Sequence, residues 1–143
     1  MDSKALFYKL VSFSNAVHHV TNELTKNATT HAISQVQYSI LEFVFVSNMV
    51  TPSEISDCLH TTMSNTSREL SKLYEKGLII KTNDLQDKRR TLITLSPDGK
   101  KLMNEVFDIV EERFAKRIDN VSSEQLKTIE QAIDTLQSTV FYR

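Results

Sequence analysis

Apolar residues recur every three or four positions along several long stretches of the chain. The first stretch, from about residue 3 to residue 26, carries the stripe Leu6, Leu10, Phe13, Val17, Val20 and Leu24. A similar stripe follows Ser122 and Ser123, and another lies between Ser96 and about Asn120. This spacing matches the 3.6-residue period of an amphipathic α-helix. The sequence therefore predicts long helices at both ends of the chain, and the narrow terminal stripes predict a partner helix.

The middle of the chain has shorter segments with marked ends. Residues 33–48 are apolar on nearly every side, which predicts a fully buried helix. Thr51-Pro52-Ser53-Glu54 is a capping box with proline at the first helical position, so a short helix should begin there and end near His60. Thr61-Thr62 offers a new cap directly afterwards. The pattern predicts two short helices joined by a tight turn, which is a helix-turn-helix.

The second of these helices is expected over residues 63–76. Its buried face should carry Met63, Thr66, Leu70 and Leu73, and Gly77 stands where a left-handed residue usually ends a helix. The period then changes to that of strands, at residues 78–82 and 91–95, with a polar loop between them. A helix-turn-helix followed by a hairpin is a winged helix. Ser96-Pro97 then starts the next long helix.

Composition supports a mainly helical protein of one domain. The chain has 143 residues with only two Gly and two Pro, where an average chain of this length would carry roughly ten Gly and seven Pro. Its one cysteine, Cys58, cannot form a disulfide within the chain, and residues 1–6 are too polar for a signal sequence. We expect a cytoplasmic protein. The predicted fold class is mainly α with a small β-hairpin wing.

The charge is unevenly distributed, although the formal net charge is only −1. Residues 60–101 hold nine Lys and Arg against five acids, a local excess of four positive charges, and the rest of the chain is acidic. An exposed basic region would direct a polyanion to the winged helix. A set of ordinary solvated faces is the alternative explanation of the same pattern.

The second helix of a helix-turn-helix enters the major groove of DNA and presents its outward residues to base edges and phosphates. Asn65 and Arg68 share one face, and their side chains can pair bidentately with adenine and guanine respectively. Any one of these polar residues could instead be an ordinary surface residue, but they cluster on one turn. The predicted DNA contacts of this helix are Thr62, Ser64, Asn65, Ser67, Arg68 and Lys72.

The hairpin loop adds a second group of predicted DNA contacts: Asp87, Lys88, Arg89 and Arg90. Arginines at the tip match the negative potential of the narrow minor groove. Asp87 would pair with a neighbouring arginine and fix its direction, or it is simply a solvated acid in a turn.

Four motifs in residues 51–99 resemble the multiple-antibiotic-resistance regulator (MarR) family. They are Ser64-Asn65-Thr66-Ser67-Arg68, Leu73-Tyr74-Glu75-Lys76-Gly77-Leu78-Ile79, Asp84-Leu85-Gln86-Asp87-Lys88-Arg89-Arg90 and Leu95-Ser96-Pro97-Asp98-Gly99. The resemblance implies a homodimer whose first and last helices intertwine, a pseudo-palindromic DNA operator and a wing arginine at Arg89 that enters the minor groove. Residues 1–32 and 100–143 would then be dimerisation helices, and residues 33–99 the DNA-binding unit.

The resemblance also implies a function, that of a repressor relieved by a small aromatic or lipophilic effector, in a bacterial or archaeal cytoplasm at the nucleoid. By family position only, Phe13, His31 and Tyr38 are candidates for lining the effector crevice. The alternatives are a winged helix that binds protein and a redox-responsive regulator acting through Cys58. A buried, inert thiol is the favoured interpretation of that cysteine.

An enzyme is not expected. The sequence offers no nucleophile with its base, no paired acids and no phosphate loop. His19 and Glu23 could contribute two ligands to a zinc ion, with His31 as a distant third, but surface histidines explain the pattern better. We therefore predict no catalytic residue, no metal and no cofactor.

Overall fold

A computed structural model describes residues 2–29 and 32–142. Within them, six helices and one two-stranded antiparallel sheet follow in the order α1 (Ser3–Thr25), α2 (Gln35–Ser47), α3 (Pro52–Leu59), α4 (Met63–Glu75), β1 (Ile79–Asn83), β2 (Thr91–Leu95), α5 (Pro97–Arg117) and α6 (Ser123–Thr139). The predicted fold class is confirmed. Each predicted element exists, and its bounds agree with the predicted ones to within a few residues.

The chain divides into two compact units, residues 1–110 and residues 111–143. The first unit contains a core to which α2, α3, α4, the sheet and the start of α5 contribute. Its most deeply buried large side chains include Leu41, Ile55, Leu73, Ile93 and Met103. Phe45 of α2 meets Phe107 of α5 edge to face, with ring centroids 5.0 Å apart. The helix-turn-helix and the hairpin therefore share one core.

Side-chain caps set the beginnings of the helices. Ser34 begins α2 in a capping box, in which its Oγ accepts from the Gln37 N–H at 3.1 Å and the Gln37 side chain accepts from the Ser34 N–H at 3.3 Å. Ser122 and Gln125 repeat this arrangement at α6. Each box satisfies backbone donors that the first helical turn leaves unpaired.

Three details differ from the sequence-based expectation. Val36 and Val46 are exposed, so α2 is buried on one side and not all round. Met63 is half exposed because the buried face of α4 consists of Thr66, Leu70 and Leu73. At the start of α3 the Thr51 hydroxyl accepts from the Glu54 N–H, as a capping box requires. The Glu54 carboxylate, however, accepts from the Thr51 hydroxyl at 3.2 Å, where a capping box would have it accept from the Thr51 backbone N–H.

Two glycines shape the connections around the hairpin. Gly77 has φ +72° and makes the left-handed turn that ends α4. A side chain on Gly99, in the first turn of α5, would collide with the backbone carbonyl oxygen of Leu78. Ser96 joins the same corner, because its hydroxyl donates to the Gly77 carbonyl at 2.5 Å and accepts from the Gly99 N–H at 3.0 Å. The end of α4, the wing and the start of α5 thus meet at one tight corner.

The terminal helices differ from the others in burial. Neither α1 nor α6 buries a single residue, and the structure describes every residue of both. Their apolar stripes are partly open to solvent, with Phe13, Val17, Ile129 and Ile133 each about half exposed. Among the described residues, no helix is long and apolar enough to cross a bilayer.

Candidate nucleic-acid interface

Helix α4 presents a polar face opposite its buried one. The Thr62 hydroxyl caps the helix by accepting from the Asn65 N–H at 3.1 Å. The structure places all six residues predicted to touch DNA from this helix on the solvent-exposed surface: Thr62, Ser64, Asn65, Ser67, Arg68 and Lys72. Because Thr66, Leu70 and Leu73 anchor the other side, this face is held outward by the core.

A buried hydroxyl pair joins the two helices of the helix-turn-helix. Ser56 of α3 donates from Oγ to Thr66 Oγ1 at 2.8 Å, and the Ser56 Oγ also lies 3.0 Å from the Pro52 carbonyl oxygen. Both side chains are almost completely buried. Hydrogen bonds between buried polar groups have a defined direction, so this pair helps to fix how α4 lies on α3.

The two adjacent arginines of the wing have different surroundings. The Arg89 side chain is 96% exposed, and its Nε lies 3.7 Å from Asp87 Oδ1. The same Asp87 oxygen accepts from the Arg89 backbone N–H at 3.1 Å, so Asp87 orders the loop around this arginine. This geometry matches the predicted pairing of Asp87 with a neighbouring arginine. Lys88, beside them, is exposed as well.

Arg90 turns back toward the body of the protein. One terminal nitrogen lies 3.6 Å from Glu54 Oε1 at the start of α3, and the other lies 3.8 Å from Asp84 Oδ2 in the wing loop. Its backbone carbonyl accepts from the Asp84 N–H at 2.9 Å. Arg90 therefore ties the wing to the helix-turn-helix, a contact that the sequence alone did not indicate.

A polar cluster between α2 and α4 was not predicted from the sequence. Gln37 is 5% exposed. Its Oε1 accepts from Lys76 Nζ at 2.7 Å, and its Nε2 donates to Glu69 Oε2 at 2.9 Å. The hydrogen bond from Gln37 lowers the pKa of the Glu69 carboxyl despite partial burial, and Lys72 lowers it further. The Ser-x-x-Gln spacing of the cap was the available signal for Gln37.

A cavity of about 500 Å³ lies beside the start of α2. Its described lining consists of Asn22, Thr25, Lys26, Asn27, Thr29, Ile33, Ser34, Gln35 and Tyr38. The Tyr38 hydroxyl is buried and has no hydrogen-bond partner among the described residues. Burial, reinforced by the neighbouring Glu42 carboxylate, raises the pKa of this hydroxyl, so the group is a neutral donor at physiological pH.

Of the three predicted effector residues, one is a described lining residue of this cavity. Tyr38 lines the cavity, Phe13 is about half exposed on α1 and is not among the lining residues, and His31 lies outside the described residues. Cys58 is partly buried, where a buried, inert thiol was the favoured interpretation. Within residues 2–29 and 32–142, no three His, Cys, Asp or Glu side chains come together as a metal site.

Comparison with known proteins defines the class of protein. The family described as Winged helix DNA-binding domain matches residues 36–114. The regulator SarV of Staphylococcus aureus is 30% identical over 58% of this chain and 75% of its own length. YdgG of Bacillus subtilis, also an HTH-type transcriptional regulator, is 26% identical over 83% of this chain and 79% of its own length.

Solved structures show the same fold at low identity. A MarR family protein from Bacillus stearothermophilus has a TM-score of 0.74 at 16% identity and covers 99% of both chains. A mutant MarR from E. coli complexed with operator DNA scores 0.59 at 19% identity over 92% of this chain and 97% of that one. NadR, solved in complex with 4-hydroxyphenylacetate, has a TM-score of 0.67 at 18% identity. The match covers 90% of this chain and 89% of the NadR chain.

The chain therefore belongs to the winged helix DNA-binding domain family, and it is a transcriptional regulator. Its fold is that of MarR family structures, which confirms the resemblance seen in the sequence. The relatives are transcription regulators and not enzymes, so the expectation that the chain is not an enzyme is also confirmed.

Proposed function

We propose that this regulator binds a pseudo-palindromic operator in double-stranded DNA as a homodimer and represses transcription from it. The exposed polar face of α4 carries the proposal, because it combines hydroxyl, amide and guanidinium groups on a helix whose opposite face is fixed in the core. The α4 residues would contact the major groove. The wing would reach the minor groove, either by direct contact or by orienting a contacting side chain, through Asp87, Lys88, Arg89 and Arg90. Its site of action is then the nucleoid in a bacterial or archaeal cytoplasm.

The terminal helices support a homodimer. Residues 1–32 and 100–143 are the proposed dimerisation segments, because α1 and α6 carry apolar stripes that the described chain leaves without burial. A second copy would cover these stripes. A two-fold dimer places its two recognition helices about 34–36 Å apart, one turn of B-DNA.

The cavity beside α2 supports relief of repression by a small effector. Its walls are mostly polar, and Tyr38 lines it, with a hydroxyl that is buried near the Glu42 carboxylate. We expect a small aromatic molecule with an acceptor group to pack against the Tyr38 ring in this cavity and to accept from its hydroxyl once the ring turns toward the ligand. NadR, a structural neighbour, was solved in complex with 4-hydroxyphenylacetate, which makes this compound a reasonable first probe.

The DNA proposal is tested by substituting single residues of the recognition face. Asn65→Ala and Arg68→Ala should each weaken binding to operator DNA by about 1–3 kcal/mol and relax the preference at particular base pairs, if each side chain makes a bidentate contact. Ser39→Ala on α2 is the control, because Ser39 lies outside the recognition face and its hydroxyl donates to the Gln35 backbone carbonyl. Binding to a set of single-base operator variants measures the effect. A mutant that loses affinity equally for operator and random DNA would show that its residue does not read bases.

The effector proposal is tested with Tyr38→Phe, which removes only the hydroxyl. In the wild-type protein, 4-hydroxyphenylacetate should raise the melting temperature and release the operator, whereas the variant should respond less at the same concentration. The fold should be little affected, since Phe keeps the buried ring of Tyr38. An equal response from both proteins would show that the probe does not use Tyr38.

A further inference from the structure

We infer that Gln37 is a positioning residue for DNA recognition, whose side-chain amide fixes the recognition helix α4 against the start of α2. This inference rests on the proposed DNA-binding function of α4. Gln37 itself lies on α2, outside the recognition face, and it is buried. It would act on DNA only through α4.

Both ends of the Gln37 amide are used in contacts with α4. Its Nε2 donates to Glu69 in the second turn of the helix, and its Oε1 accepts from Lys76 at the C-terminal cap. These two residues are seven positions apart, or about 10 Å along a helix at 1.5 Å per residue. Two attachments at that separation restrict sliding and tilting of α4 more than a single contact would.

The backbone before α2 takes part in the same cluster. Lys76 Nζ also donates to the Ala32 carbonyl oxygen at 2.6 Å, and Gln37 Oε1 also accepts from the Ser34 N–H at 3.3 Å. These bonds of the amide therefore join it to α4, to the C-cap of α4 and to the cap of its own helix. Hydrogen bonds to charged partners such as Lys76 and Glu69 are stronger than neutral ones.

Glu69 links the cluster to the proposed DNA contacts. One carboxylate oxygen of Glu69 accepts from Gln37, and the other lies 3.3 Å from Lys72 Nζ. Glu69 also directly follows Arg68 in the helix. A displacement of Glu69 would consequently move two of the side chains that we place on DNA.

Exchanging the two side chains tests the inference. Gln37→Glu removes the donor and places two carboxylates against each other, with Lys72, Arg68 and Lys76 as the surrounding charges. Glu69→Gln keeps an acceptor for Gln37 and should have little effect. The double variant Gln37→Glu/Glu69→Gln restores the bond with donor and acceptor exchanged. Ser39→Ala, which loses only a bond to the Gln35 carbonyl on α2, is the control.

We expect Gln37→Glu to lower the preference for operator over random DNA about tenfold at pH 8, and the double variant to return it to within about threefold of wild type. The salt dependence of binding should stay unchanged, because no phosphate contact is removed. In Gln37→Glu, two facing carboxylates raise the pKa of one of them, so that a shared proton can restore a hydrogen bond between positions 37 and 69 as the pH falls. The loss of operator preference in this variant, relative to wild type, should therefore shrink at lower pH. Neither the double variant nor the Ser39→Ala control should show this pH profile, because neither places two carboxylates against each other.

Hydrogen exchange of the α4 amides provides a readout that needs no DNA. Protection should fall in Gln37→Glu and recover in the double variant. Unchanged protection and operator preference in folded Gln37→Glu would overturn the inference, and so would failure of a folded double variant to recover. If Gln37→Glu does not fold, Glu69→Leu at the half-buried Glu69 position replaces it. We expect the same tenfold loss of preference for operator over random DNA. An unaltered preference in this variant would overturn the inference. A wild-type protein without operator preference would instead refute the proposed function, and the exchange data would still decide the role of Gln37.

Discussion

Two adjacent arginines of the wing have opposite surroundings in the structure. Arg89 projects almost fully into solvent beside Asp87, whereas Arg90 lies between Glu54 and Asp84. In the sequence, Arg89 was singled out by the resemblance of Asp87-x-Arg89 to the wing motif of the MarR family. Glu54, one of the two partners of Arg90, lies 36 positions earlier in the chain, at the start of α3, so only the folded structure could reveal this contact.

Removing the Arg89 side chain should weaken binding to operator DNA several-fold. We expect Arg89→Ala to lower the slope of log affinity against log salt by about one unit, because one phosphate-neutralising charge is lost. Titrations at several salt concentrations measure this slope. Arg117→Ala, at the exposed end of α5, removes the same charge outside the wing and serves as the control. An unchanged affinity and slope in Arg89→Ala would show that the wing arginine does not contact DNA.

Removing the Arg90 side chain should affect DNA binding indirectly, because it loosens the attachment of the wing to the start of α3. Arg90→Ala is expected to weaken operator binding with a smaller change of salt slope than Arg89→Ala. Glu54→Gln, which removes the partner charge from the body, should reproduce part of this loss. Both arginine variants are measured in the same salt titrations. A slope change as large as that of Arg89→Ala would instead indicate that Arg90 neutralises a phosphate directly.

At the scale of elements, the boundaries were predictable where a local side chain decides them. Thr51, Thr62, Ser96 and Ser122 each cap the helix that was expected to follow. The burial of α2 was less predictable, because hydrophobicity does not show which side of a helix other elements will cover. The role of Gln37 was hidden for the same reason, since its partners Glu69 and Lys76 come from a helix more than thirty positions away.

The corner between α4, the wing and α5 gives a prediction about stability. Gly77→Ala should cost about 1–2 kcal/mol, because the position has a left-handed backbone but open space around it. Gly99→Ala should cost more, about 3 kcal/mol, because the new methyl group would push against the Leu78 carbonyl and force the backbone apart. Urea denaturation compares the two variants. A Gly99→Ala loss no larger than that of Gly77→Ala would show that the corner can relax.

At the scale of the whole molecule, the terminal stripes were visible in the sequence, but their partner could not be read from one chain. We expect Ile133→Glu to weaken or abolish the dimer, because a charge would enter an apolar interface formed with a second copy. Sedimentation velocity should show a dimer for wild type and a shift toward monomer for the variant. Glu130→Gln, on the same helix, controls for a change of charge alone. A wild-type protein that stays monomeric at micromolar concentration would refute the dimer.

The central claim is that this winged helix reads a specific DNA sequence, and one binding titration tests it most directly. Purified protein is titrated onto a fragment from upstream of its own gene and onto a scrambled fragment of equal length, across a range of salt concentrations. We expect saturable binding to the upstream fragment that is about 10³-fold tighter or more than to the scrambled one, with both affinities falling as salt rises. Equal affinity for the two fragments at every salt concentration would contradict recognition of that upstream sequence as the operator.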